Sequence, residues 1–190
     1  MTGTCSGLDR VRVGVTGHRQ LPHDPRLVQQ VDRAIERIQD LAASADGSRP
    51  RLTAISALAE GADRLVAREI LREPGAMLEV PLPLPPAEYM QDFDTKCSRQ
   101  EFESLLRRAD LILTMPTSPS RTEAYEAAGH YIVDHCHVLL ALWNGKPARG
   151  QGGTAEIVAL ALRRHLPLIW IATEPPFSLS EHLDSRSGIG

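Results

Sequence analysis

The chain has 190 residues, of which 42% are hydrophobic and 4% aromatic, and its formal net charge is -3. That length suits one domain with a real core, while the scarcity of aromatic residues and the acidic balance, with no long basic run, argue against a nucleic-acid partner. No segment approaches the ~20 apolar residues that span a bilayer, and Cys5, Cys97 and Cys136 are too few and too irregular for a disulfide framework, so the expectation is a cytoplasmic protein with no signal peptide and no membrane partner.

Short apolar runs alternate with helical patterns along the chain. Residues 11–16 read as the first strand. Asp24 followed by Pro25 reads as an N-cap with proline at the first helical position, and Leu27, Val31, Ala34, Ile35, Ile38 and Leu41 then recur on one helical face. A second strand is expected at 52–56 and its helix at 62–72, stopped by Pro74-Gly75. The third strand is placed at 77–80. The proline-rich stretch 81–93 reads as a loop with a short helix near Tyr89. Ser98 and Glu101 have the spacing of a capping box, so the next helix is expected to start there. Strands follow at 111–115, 138–143 and 168–171, with helices at 123–135 and 154–165 between them. The proline- and serine-containing stretch 173–190 reads as a flexible tail after a single domain over 1–172.

Strands that are apolar almost throughout are expected to be buried on both faces, which predicts an α/β fold: a Rossmann-like three-layer αβα sandwich with a mainly parallel sheet. Ligands in such folds sit beyond the carboxyl ends of the strands. That rule selects three segments. After the first strand stand Thr16, Gly17, His18 and Arg19, where glycine allows close backbone approach and arginine can grip a phosphate. After the second come Ser56, Ala57, Glu60, Gly61 and Asp63; either acid can hold ribose hydroxyls, and Asp63 can equally cap its helix. After the fifth come Asn144 and Gly145, then Gly152, Gly153 and Thr154 opening a helix whose N–H groups and dipole suit phosphate. Glu156, in the first turn of that helix, is the candidate catalytic group, because a carboxylate beside a ribose can assist cleavage of an N-glycosidic bond.

The chain has no G-x-G-x-x-G and no G-x-x-x-x-G-K-[ST], so neither the dinucleotide fingerprint nor the P-loop is present. Asp134, His135, Cys136 and His137 are consecutive at a helix-to-strand junction and point in different directions, so no metal site and no resident cofactor are expected.

Taken together, these segments resemble the SLOG superfamily, Rossmann-like nucleotide-binding proteins named for their Smf/DprA and LOG members. Ser56-Ala-Leu-Ala-Glu-Gly-Ala-Asp63 is similar to the serine-glycine-x-alanine-x-glycine-isoleucine-aspartate stretch of the DprA-like branch, and Gly152-Gly153-Thr154 with Glu156 to the glycine-glycine-x-glycine-threonine-x-x-glutamate motif of the LOG branch. The resemblance runs from Val11 to Ile171 and implies nucleotide binding and a homo-oligomer. Some LOG proteins are phosphoribohydrolases that release a base from a nucleoside monophosphate; other members sense nucleotide-derived signals, NAD-derived ones included, in bacterial defence. In this chain a longer loop, 144–151, separates strand from glycines, the glutamate stands one residue nearer the threonine, and the place of the LOG arginine falls near Ala128 or Gly129, with Arg121 a turn or more away. The expectation is therefore a nucleotide-binding module or sensor, with N-glycosidic hydrolysis as the alternative activity.

Overall fold

The computed structural model describes residues 8–147, 153–183 and 189. Strands β1 (Arg10–Gly17), β2 (Arg51–Ile55), β3 (Met77–Leu82), β4 (Leu111–Thr114), β5 (Val138–Trp143), β6 (Leu168–Ala172) and β7 (Leu179–His182) form one sheet in the order β4-β3-β2-β1-β5-β6-β7. All neighbours pair in parallel except β7, which runs antiparallel to β6. The helices are α1 (Pro25–Leu41), α2 (Ala62–Ile70), α3 (Pro86–Tyr89), α4 (Lys96–Leu106), α5 (Arg121–His135) and α6 (Thr154–Arg163). The fold is Rossmann-like α/β.

Period-two alternation sorts the strand residues between two layers of helix. Val11, Val13 and Val15 of β1, Leu52 and Ala54 of β2, and Val138, Leu140 and Leu142 of β5 join one core with Leu27, Val31 and Ile38 of α1, Val66 and Ile70 of α2, and Phe102 of α4. The opposite face supplies a smaller core in which Ile55, Leu139 and Ala141 meet Ile132 and Val133 of α5 and Ile157 and Ala161 of α6. Helix α5 comes close over β1: a Cβ on Gly14 would fall 2.7 Å from Cys136 Sγ and 2.8 Å from Ile132 Cγ2.

The second face is not apolar throughout. Glu79 of β3 is buried and accepts from Arg12 Nη2 of β1 at 2.7 Å and from the Tyr131 hydroxyl of α5 at 2.6 Å. Strand β4 is also an exception to burial on both faces. It lies at the sheet edge, and Leu111 and Ile112 are each 45% exposed.

The structure revises the expectations in two further places. Residues after Thr173 do not simply trail: Phe177 is buried and Leu179–His182 form β7, with Ile171 paired to Leu179. This strand carries Ser180, Glu181 and His182 because it is an edge, with one rim in water, and Glu181 is held by Arg37 at 2.8 Å. Helix α4 starts at Lys96 with Thr95 as its N-cap, whose side chain accepts from the Ser98 N–H at 3.0 Å; Ser98 lies inside the helix and is not its cap. Glu101 instead meets Arg64 and Arg68.

Among the described residues no helix is long and apolar enough to cross a membrane.

Candidate functional site

Strand β1 connects leftward in the sheet, through α1 to β2, and β5 connects rightward, through α6 to β6. A crevice therefore opens between their carboxyl ends, where strand order reverses. Gly17 and Leu142 are partners in the ladder, and the His18 N–H continues it to the Leu142 carbonyl at 3.0 Å. Beyond the ladder, the Asn144 N–H donates to His18 Nε2 at 3.2 Å, so this imidazole nitrogen is an acceptor.

The α2 turn is locked against the same place. The Ala62 N–H donates to the His18 carbonyl at 3.1 Å. A Cβ on Gly17 would fall 2.4 Å from that of Ala62. Ser56 is fully buried; its Oγ accepts from the Leu58 N–H at 3.1 Å and donates to the Asp63 carbonyl at 3.2 Å. These bonds hold Leu58 in the left-handed region, at φ 58°. Ser56 shapes the turn that presents Ala57 and Asp63.

A cavity of about 610 Å³ occupies the crevice. Thr16, Gly17, His18 and Arg19 line it from β1, Ala57 and Asp63 from the β2–α2 turn, Asn144 from the end of β5, and Gly153, Thr154 and Ala155 from the start of α6. Gly152 lies outside the described residues. Other predicted site residues are placed elsewhere. Glu60 accepts from the Ser98 hydroxyl, and with Gly61 it lines a second hollow of about 1060 Å³ toward α4. Gly145 takes φ 77° beside Trp170 and is not on the wall of the first cavity; nor is Glu156.

The cavity also has a wall that sequence reasoning did not place in the site. Tyr89 of α3 and Tyr125, Ala128, Gly129 and Ile132 of α5 complete it. The Tyr125 hydroxyl donates to Asp92, and the Arg19 guanidinium lies over the Tyr125 ring, 5.4 Å from its centroid. Arg121 is drawn away to Glu88 and Asp92. Ala128 and Gly129, where the resemblance would seat an arginine, are small wall residues. A Cβ on Gly129 would fall 2.3 Å from Ile157 Cδ1, so α5 and α6 nearly touch at this point.

The cationic side chains of the cavity among the described residues are Arg19 and Lys146. Lys146 is matched by Glu174 at 3.0 Å, whereas Arg19 is exposed and in no ion pair among the described residues. Gly153 is the N-cap of helix α6 and has no side chain with which to cap it, and the first internal bond runs from the Glu156 N–H to the Gly153 carbonyl at 3.0 Å. The N–H groups ahead of that bond belong to residues on the cavity wall. Asp63 is the carboxyl on the wall among the described residues, and burial pushes it up to about 7, although the Ala59 N–H and the Arg19 charge pull the other way.

The tract 134–137 diverges. Asp134 pairs with Arg164, Cys136 is buried with its thiol pushed up to about 12 by burial, and His137 Nδ1 accepts from the Arg12 N–H at 3.2 Å. His137 is held below the ordinary histidine value by burial and by Arg12.

No protein-family model and no curated protein matches the sequence. Solved structures do resemble it. DNA processing protein A (DprA) from Streptococcus pneumoniae superposes with a TM-score of 0.56 at 16% identity, covering 87% of this chain and 51% of that one. The Moco carrier protein from Chlamydomonas reinhardtii superposes with a TM-score of 0.45 at 17% identity, covering 88% of this chain and 79% of that one. The chain thus spans about half the length of the DprA chain it matches. With its parallel sheet, its strand-end crevice and this superposition, the chain has a DprA-like Rossmann fold.

Proposed function

We propose that this chain binds a nucleotide or a nucleotide-derived phosphorylated small molecule in the β1–β5 crevice and acts as a binding module or sensor. The observation that carries this reading is the convergence of Arg19 and the side-chain-uncapped start of α6 on one cavity. A guanidinium and a helix N-terminus both favour an anion, and a phosphate between them would satisfy both. Ala128, Gly129 and Ile132 give the cavity an apolar side that would suit the face of a base. Glu156 lies off the wall, which supports retention of the ligand over cleavage of its N-glycosidic bond.

The test is to incubate the protein with a pool of nucleotides, NAD and cyclic ADP-ribose derivatives, beside a single-stranded oligonucleotide, and to identify retained and released compounds by mass spectrometry. One small compound should be retained intact, and Arg19→Ala should weaken it about tenfold or more without changing the melting temperature. A free base with its ribose phosphate would overturn the binding role in favour of hydrolysis. Retention of the oligonucleotide alone, or of nothing, would overturn the ligand class.

A further inference from the structure

Tyr89 has an unusual combination of properties. It is 0% exposed, it lines the candidate cavity, and its hydroxyl has no hydrogen-bond partner among the described residues. Its ring is clamped edge-on by Phe93 and Phe102, with centroids 5.0 and 5.6 Å away. A buried, unsatisfied hydroxyl destabilises the fold, and phenylalanine would fill the same space without that cost. A guest in the cavity that supplied an acceptor would remove that cost.

The surroundings define that group. Asp63 lines the same cavity with its carboxyl buried, and its Oδ2 is already engaged by the Ala59 N–H at 3.3 Å. Burial, and next the charge of Asp63, hold the Tyr89 hydroxyl well above the ordinary tyrosine range, so it is a protonated donor at every physiological pH. A phosphate here would face the Asp63 carboxyl and lose its water, whereas the start of α6 offers it backbone N–H groups. What suits a neutral O–H donor beside a carboxyl acceptor is a small uncharged group that accepts from one and donates to the other. A sugar hydroxyl does both.

We infer that Tyr89 and Asp63 form a sugar-reading subsite of the cavity, in which the Tyr89 hydroxyl donates to a ribose hydroxyl of the bound nucleotide. This rests on the nucleotide reading above and adds a selectivity to it: a ribonucleotide is preferred over the deoxy form that lacks the contacted hydroxyl, because that form leaves Tyr89 unpaired.

The experiment measures, by calorimetry, binding of the ribonucleoside 5′-monophosphates and of their 2′-deoxy and 3′-deoxy counterparts to the wild type and to Tyr89→Phe. The wild type should discriminate against one deoxy form by about tenfold or more, and Tyr89→Phe should lose that discrimination while melting at the same temperature or higher. A phenylalanine variant that keeps the discrimination, or a wild type that binds both deoxy forms as well as the ribonucleotide, overturns the inference and leaves nucleotide binding standing. A wild type that binds no nucleotide overturns the parent reading and this one with it. The unchanged melting temperature separates loss of a contact from loss of the fold.

Discussion

A Cβ on Gly61 would fall 2.3 Å from the Arg19 carbonyl oxygen and 2.4 Å from that of His18. The glycine sits at φ 78°, so both its space and its backbone conformation reject a side chain. Although Gly61 does not line the cavity, it fixes the distance between the β1 turn and α2. Gly61→Ala should lower unfolding stability by about 2 kcal/mol or more and should also weaken ligand binding, since Arg19 must move. Urea denaturation and calorimetry check this; an unchanged midpoint would mean that the turn yields freely.

Asp63 gives the protein a pH dependence of known sign. Its carboxyl is raised in the folded chain from 3.8 to about 7, chiefly by burial. A carboxyl with a raised folded pKa holds its proton more tightly in the native state, so folding is favoured below the unfolded value and that advantage is lost as pH rises toward the folded value. Asp63→Asn removes the titrating group and retains an oxygen that can accept from the Ala59 N–H. The melting temperature of Asp63→Asn minus that of the wild type should therefore grow as pH rises from 3.8 to about 7 and stay level above it. A difference that is flat across this window would show that Asp63 is not the titrating group.

Arg12, Glu79 and Tyr131 tie β1, β3 and α5 together on the second face of the sheet. Burial, then the Glu79 carboxylate, push the Tyr131 hydroxyl up to about 12, so it remains a donor over the ordinary pH range. Arg12→Met would leave the buried carboxylate with the tyrosine as its remaining partner among the described residues and should cost about 2–3 kcal/mol in chemical denaturation. Arg12→Met paired with Glu79→Gln should recover part of that loss, because no charge is then stranded. Equal losses in the single and double variants would show that the charge on Glu79 is not what matters.

Glu156→Gln separates the two activities. With Glu156 off the cavity wall, the variant should bind ligand with the wild-type affinity, within about twofold, and neither protein should release a free base. Base release by the wild type that the glutamine variant abolishes would restore Glu156 as the acidic group of a hydrolase.

Much of the architecture was legible because local pattern and tertiary role agree. Short uninterrupted runs such as Val138–Trp143 read as buried strands, and the rule that ligands sit at strand ends points to Thr16, Arg19, Asn144 and Thr154, which line the cavity. What escaped has a common cause: its meaning depends on residues far away in the chain. Tyr89 reads as one more aromatic in a proline-rich loop until α5 brings Tyr125 beside it, with ring centroids 6.0 Å apart. Gly129 inside a helix reads as a weak position until Ile157 is seen against it. Glu60 and Asp63 are equally plausible sugar ligands on a line of sequence, but the turn through Leu58 sends Glu60 to Ser98 and Asp63 to the cavity. Strand β7 escaped because Leu179–His182 carries mostly polar residues, as an edge strand can. The cap of α4 was misread because Thr95 and Ser98 both have hydroxyls, and the backbone selects the earlier one.

The near contact of α5 with α6 at Gly129 and Ile157 has a consequence for how finely the crevice can discriminate. A wall made of long side chains adapts to its guest by changing rotamers. Here the part of the wall between α5 and α6 is the Gly129 main chain with the short side chains of Ala128, Ile132 and Ile157, so its position is set largely by the spacing of two helices. For the ligand proposed above, this part of the crevice would act as a gauge, in which a thicker guest requires Ile157 to turn or a helix to shift. Selectivity of that kind resides in the scaffold, and new guests would be admitted by altering how α5 and α6 pack against each other far more readily than by exchanging residues that touch the guest.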